Sequence, residues 1–205
     1  MRWYERTILL LFVVGFAACA TTEVKTVWKD EAYQVQPKRV LVIALFKKPS
    51  VRRMVEDGLR NSLKHRGTDA ATGYEVFSGN VIPSKEMVVE QVKAGGFDAV
   101  LLTRLIDTRT ETRTLSSSQP SNFATARFAA PMSGYYSQSS AAMSSSSYAV
   151  DDKFAIVETN LYDAATEKLV WTAASDTWMG AEDQKLVKQF VALITDSLLK
   201  QKIVP

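Results

Sequence analysis

The run Arg39–Phe46 (RVLVIALF) constrains the fold more than any other stretch of this 205-residue chain. It is almost continuously apolar, rich in aliphatic and β-branched residues, with Pro37 before it and Pro49 after it. A strand with one wet face alternates polar and apolar residues. A strand this uniform must be covered on both sides, which points to a parallel or mixed sheet with helices on its two faces. Pro49-Ser50 then opens a helix, with Ser50 as the expected N-cap. Val51, Met54, Val55, Gly58, Leu59, Ser62 and Leu63 follow at helical spacing as one apolar or small stripe. Lys64, His65 and Arg66 suit the carboxyl end of the helix dipole, and Gly67 suits the position after the cap.

The remaining elements extend this unit. Tyr74–Phe77 reads as a short second strand. Pro83-Ser84 begins a second helix with Val88 and Val92 on one face and Gly95-Gly96 as its stop. Phe97–Ile106 (FDAVLLTRLI) reads as a third strand. Strand–helix–strand–helix–strand with short links implies parallel strands and right-handed crossovers. Lys153–Tyr162 and Lys168–Thr177 form a hairpin around the turn Asp163–Glu167. A last helix over 181–202 carries Leu186, Val187, Phe190, Val191, Leu193, Ile194 and Leu198 as a wide apolar face. The order β-α-β-α-β, insert, β-β-α predicts the α/β class: a mixed five-strand sheet with helices on both sides, in a single domain over 39–202.

Two stretches depart from this pattern. Asp107–Arg113 alternates charge with Thr, so at period 2 neither face is apolar. This extension of the third strand is expected to leave the core and be solvated or paired with a partner. Between Thr114 and Val150 Arg127 is the sole charged residue, and twelve serines are interspersed with Phe123, Phe128, Met132, Tyr135, Tyr136 and Met143. Loops this long inside a compact domain are usually functional or disordered. The low-complexity insert 114–150 is therefore the expected contact surface, carried on an arm from Leu105–Leu115 and Tyr148–Ile156. Arg109, Arg113, Phe123, Phe128, Tyr135 and Tyr136 are its candidate partner-binding residues, and removing 114–150 is expected to spare folding.

The amino terminus sets the location. A short basic leader (Met1–Arg6) precedes Thr7–Phe16 (TILLLFVVGF), a secretory signal pattern. At ~1.5 Å per residue the apolar run spans about 15 Å, half of a ~30 Å hydrocarbon core. Phe16-Ala17-Ala18-Cys19 then places two small residues before the sole cysteine of the chain. This resembles the bacterial lipobox, with residues 1–18 as signal peptide, Cys19 as the lipidated first residue and 19–38 as a tether. The resemblance implies three acyl chains, well past the reversible one-chain regime. Ala20, in place of Asp, implies sorting to the outer membrane, with the domain facing the periplasm.

Composition narrows the function. Twenty-five Lys and Arg against 22 Asp and Glu leave a net charge of +3, too even for binding driven by phosphate neutralisation, so nucleic acid is not expected as a partner. One Cys and one His leave no disulfide framework or Cys/His metal cluster. His65, the one imidazole, reads as a solvated helix-end residue rather than the base of a nucleophile. Asp107 and Glu111 fall about 13 Å apart along a strand, beyond the roughly 5–9.5 Å of glycosidase carboxylate pairs. No phosphate-binding glycine motif occurs. The chain is read as non-enzymatic, with no catalytic residue, cofactor or metal.

Lys38–Ile43, Phe97–Leu101, Leu161-Tyr162-Asp163 and Lys168–Trp171, together with the lipobox, resemble a family of small bacterial lipoproteins of unknown function. The element order over 38–202 resembles the α/β domain of the Tol propeller protein's amino-terminal part, the curli secretion lipoprotein, the Pel exopolysaccharide lipoprotein and lipoprotein activators of penicillin-binding proteins. The resemblance implies a fold and an envelope setting and transfers no catalytic residue. The expected function is a lipid-anchored periplasmic binding or scaffold module. Its partners are the membrane through Cys19, an envelope protein or cell-wall component, and a homo-oligomer as a further possibility. The alternative is a subunit of an oligomeric outer-membrane export assembly for polysaccharide or protein.

Overall fold

A computed structural model describes residues 22–77, 82–110, 131–134, 136–137, 153–179 and 182–205. The strands are β1 (Thr22–Lys29), β2 (Arg39–Leu45), β3 (Asp69–Thr72), β4 (Ala99–Thr110), β5 (Lys153–Asp163) and β6 (Leu169–Trp178). The helices are α1 (Pro49–His65), α2 (Gly73–Val76), α3 (Lys85–Ala94) and α4 (Asp183–Lys200). The sheet order is β1-β6-β5-β4-β2-β3. β2 pairs in parallel with β3 and β4, and β4, β5, β6 and β1 follow antiparallel. The sheet is mixed, as expected, but has six strands rather than five. The sixth, β1, comes from the segment read as tether: Thr22 pairs with Thr177 and Lys29 with Trp171.

The two faces of β2 explain its composition. Val40 to Leu45 are each at most 1% exposed. Val40, Val42 and Ala44 join one core with Val55, Leu59 and Leu63 of α1 and Phe190, Val191 and Ile194 of α4. Leu41, Ile43 and Leu45 join the other with Val88 and Val92 of α3, Met132 and Tyr136. The result is three layers. Met132 and Tyr136 come from the Ser-rich insert, so its middle is tied to the sheet. The Met132 amide donates to the Glu167 carbonyl at 2.8 Å, and the Tyr136 hydroxyl donates to the Pro83 carbonyl at 2.6 Å.

Local differences have local causes. The second strand is Asp69–Thr72, not Tyr74–Phe77, which falls on α2 and the residue after it. There Thr72 and Glu75 form a capping box: the Glu75 amide donates to the Thr72 hydroxyl and the Thr72 amide to the Glu75 carboxylate, each at 3.4 Å. The N-cap of α1 is Lys48, with Pro49 at the first helical position. Proline's fixed φ suits that place, where its missing N–H goes unused, so Ser50 is already inside the helix. Gly67 does terminate α1, at φ 84°. Its amide donates to the Lys64 carbonyl and that of Thr68 to Leu63, the paired bonds of a Schellman motif. Ser84 caps α3 through the Met87 amide, as the sequence indicates. Trp171 and Leu169, two residues apart on β6, pack into opposite cores, because the β5–β6 register shifts between Leu161 and Tyr162.

Beyond Ile106, β4 continues to Thr110 and is paired within the chain rather than with another molecule: Asp107 lies opposite Ile156 and Thr110 opposite Lys153.

Candidate functional site

β4 runs out, β5 begins, β6 ends and β1 starts at one end of the sheet. Cys19 precedes Thr22 by three residues. This distal end gathers the ion pairs and the cleft described next.

One face carries ion pairs. Arg104 stands opposite Glu158 across β4–β5, with Nε 3.2 Å from the carboxylate. Arg109 reaches across β5 to Asp176 on β6 at 3.2 Å, and its guanidinium lies over the Phe154 ring, 5.4 Å from the centroid. Next along this face, Thr172 donates to the Asn160 carbonyl oxygen at 2.5 Å, and the Asn160 amide donates to the Tyr162 hydroxyl at 3.3 Å. The alternation of β4, β5 and β6 places all these polar residues on the side opposite Leu105, Val157 and Ser175.

The other face carries an apolar cleft of about 350 Å³. Its floor is Leu105, Ala155, Val157 and Thr177. α1 and the segment before it supply one wall through Phe46, Val51 and Val55, and α4 supplies the other through Leu186, Val187 and Phe190. Lys48 and Asp183, both exposed and joined as an ion pair, bridge the amino-terminal ends of the two helices at its rim. Neither helix has a side-chain cap. Thr177 is only 5% exposed, and its hydroxyl has no hydrogen-bond partner among the described residues. The Thr22 hydroxyl opposite it on β1 is likewise buried without one. At the far end of the sheet a wider depression of about 550 Å³ is lined by Val35, Lys38, Phe97, Asp98 and Asp163. The Asp98 carboxylate there is occupied by the Lys38 and Arg39 amides, at 2.9 Å each. Beside Asp98 and Asp163, the buried Tyr33 hydroxyl is pushed up to about 12, by desolvation first and the two carboxylates second.

The sequence-predicted site residues separate. Arg109 sits in the distal charge network. Tyr136 is buried in the second core with its hydroxyl on Pro83, a packing position rather than a surface one; burial raises its pKa. Cys19, Arg113, Phe123, Phe128 and Tyr135 lie outside the described residues. His65 is exposed at the last residue of α1. Among the described residues no group of three His, Cys, Asp or Glu could hold a metal ion, and no helix is long and apolar enough to cross a membrane.

Sequence reasoning missed the most buried charge. Glu56, 0% exposed, accepts from the Ala44 amide at 3.0 Å, the Tyr74 amide at 2.9 Å and Arg52 Nε at 3.2 Å. Burial, the largest influence, raises its pKa against these donors. It joins the end of β2 to the start of α2, and Gly73 leaves it room: a Cβ there would stand 3.3 Å from Oε1. The Arg52/Glu56 spacing of four was the only signal in the sequence, and it is equally a mark of an exposed helical pair.

No family model matches the chain, and no curated protein matches it. Among solved structures it is similar to PelC from Paraburkholderia phytofirmans, a dodecamer seen in two crystal forms, one with a single substitution. The identities are 14% and 15%, over 84% and 86% of this chain and 94% of PelC in both, each with a TM-score of 0.45.

Proposed function

We propose that this chain is a lipid-anchored envelope lipoprotein, whose domain is a non-catalytic binding or scaffold module on the periplasmic side of the outer membrane. The observation that carries the reading is the placement of the sole cysteine. It follows an apolar run and two small residues, and precedes the first strand by three positions. Two residues, Ala20 and Thr21, then separate the acylated Cys19 from a strand hydrogen-bonded into the sheet, so the domain is held against the bilayer instead of swinging on a nineteen-residue leash. Confinement to a surface raises the local concentration of partners, so weak contacts suffice. The contact surface is the 107–150 region apart from Met132 and Tyr136, which are packed in the core. Globomycin treatment should leave the signal segment uncleaved, and Cys19→Ser should also remove the acyl mass from the amino-terminal peptide. Unchanged processing and membrane fractionation would overturn the reading.

A second reading, a subunit of an oligomeric export assembly, is favoured by the sheet edges. Among the described residues β1 and β3 each leave one edge unpaired, and Val27 on β1 is 39% exposed. Such edges can accept a strand from another copy, although Glu23, Lys25 and Lys29 charge this one. Light scattering that gives a monomer at every concentration would remove this second reading.

A further inference from the structure

The distal cleft is too large and too apolar to be packing slack. An engineered apolar cavity of roughly 150 Å³ stays dry and takes up benzene, and small-molecule sites begin at roughly 300 Å³. At about 350 Å³, this cleft sits in that second class. Its walls are aliphatic and aromatic along their length, and its polar groups are confined to Lys48 and Asp183 at the rim and the unpartnered hydroxyl of Thr177. Long apolar walls with polarity at one rim match an amphiphile with a single hydrocarbon tail, not a sugar or a nucleotide.

The position of the cleft identifies where such a tail comes from. Its floor residue Thr177 is the register partner of Thr22, the first residue of β1, and Cys19 lies three residues earlier. The cleft therefore opens at the end of the domain where the chain would enter the membrane. We propose that the cleft bounded by α1, α4 and the β4–β6 floor is a binding site for one alkyl chain, its tail against Val157, Val187 and Phe190 and its polar end at Lys48 and Thr177. The cleft defines the ligand class by itself, and only the source of the chain rests on the lipoprotein reading. A tail borne by Cys19 and a tail of a neighbouring membrane lipid present the same chemistry. Filling the cleft with either would seat the domain on the bilayer in one orientation.

Cells producing the full chain are fed palmitic acid that carries a photoactivatable diazirine, irradiated, and the crosslinked peptides mapped by mass spectrometry. Crosslinks to the 153–163 and 183–200 peptides are expected, and their absence overturns the site. Ala155→Phe from the floor and Val187→Phe from the wall each fill the cleft. Whichever variant keeps the wild-type melting temperature should lose these crosslinks at least tenfold, and an unchanged yield would also overturn the site. In Cys19→Ser, loss of the crosslinks assigns the chain to Cys19, and persistence assigns it to a separate lipid. The mass of the Cys19 peptide reports independently on acylation. An acylated Cys19 without cleft crosslinks sinks this site and leaves the lipoprotein reading standing. An unmodified Cys19 with crosslinks does the reverse. In a series of fatty acids competing with the probe, each methylene removed should weaken competition about fourfold.

Discussion

Glu56 shows how one buried carboxylate can organise a turn. It has three donors, and one of them is the amide of Ala44 in the most buried strand. Glu56→Gln replaces one acceptor oxygen by a donor facing donors. Leaving a buried donor unsatisfied costs about 1–3 kcal/mol, and urea denaturation at pH 7 should show a loss of that size. The pH dependence has a definite sign. The folded-state pKa of Glu56 is raised above the unfolded value of 4.5, so its protonation favours folding. That contribution is full below the unfolded pKa and disappears as pH rises through the folded one. The advantage of wild type over Glu56→Gln should therefore grow as pH is lowered from 7 toward 4.5; an advantage that shrinks would contradict the direction of the shift. Arg109 poses a separate question, because it was expected at a partner surface and is found in an ion pair. Arg109→Ala leaves the buried Asp176 carboxylate with one charged neighbour fewer, and a loss of about 1–3 kcal/mol is expected. Melting temperatures of Arg109→Ala and Asp176→Asn, each measured alone and then together, separate this structural role from contact with a partner.

At the scale of elements, Gly58 is the informative residue. Glycine in a helix interior costs about 1 kcal/mol relative to alanine, so Gly58→Ala looks stabilising from the sequence. In the fold a Cβ at this position would stand 2.7 Å from Val191 Cγ2, where α1 and α4 cross. Overpacking costs roughly 1–3 kcal/mol, which outweighs the propensity gain, so Gly58→Ala should lower stability. Val191→Ala in the same chain should recover part of that loss, with a coupling of about 0.5–3 kcal/mol in the double-mutant cycle. Elements whose identity follows from burial were legible. β2 is apolar on both faces and α4 carries a wide stripe, and both stand within a few residues of where the pattern puts them. β1 was not, because an edge strand is held largely by backbone pairing on one side. TEVKTVWK thus shows charge and β-branching without a clean apolar face. The second strand was misplaced because Tyr74-Glu75-Val76-Phe77 has strand-like composition, and the Thr72–Glu75 capping box decides locally for a helical turn. The charge–Thr alternation after Ile106 gave the strand but not its partner, since the pairing with β5 is separated in sequence by the whole insert.

For the whole molecule, the placement of Met132 and Tyr136 changes what the insert is. As a sequence it reads as one featureless stretch, yet its middle fills the core on the α3 side of the sheet. The distal half of the site was equally illegible: the cleft is assembled from β4–β6, α1 and α4, and no local pattern brings Leu105, Thr177 and Phe190 together. The expectation that the insert can be removed without harm therefore has to be divided. Deleting 114–150 entirely takes away two nearly fully buried side chains. Large-to-small losses of this kind run to roughly 2–5 kcal/mol each, against a total stability of about 5–15 kcal/mol for an ordinary domain. That deletion should unfold the chain or leave it marginal. Deleting 114–130 and 138–150 with short Gly-Ser joins, while retaining 131–137, should keep the urea midpoint close to wild type. With folding secured in this way, partner capture tests the flanks alone. If the flanks form the contact surface, capture disappears in a protein that still melts normally. If capture survives, the contact lies on the folded distal end itself, at the Arg104–Glu158 and Arg109–Asp176 face.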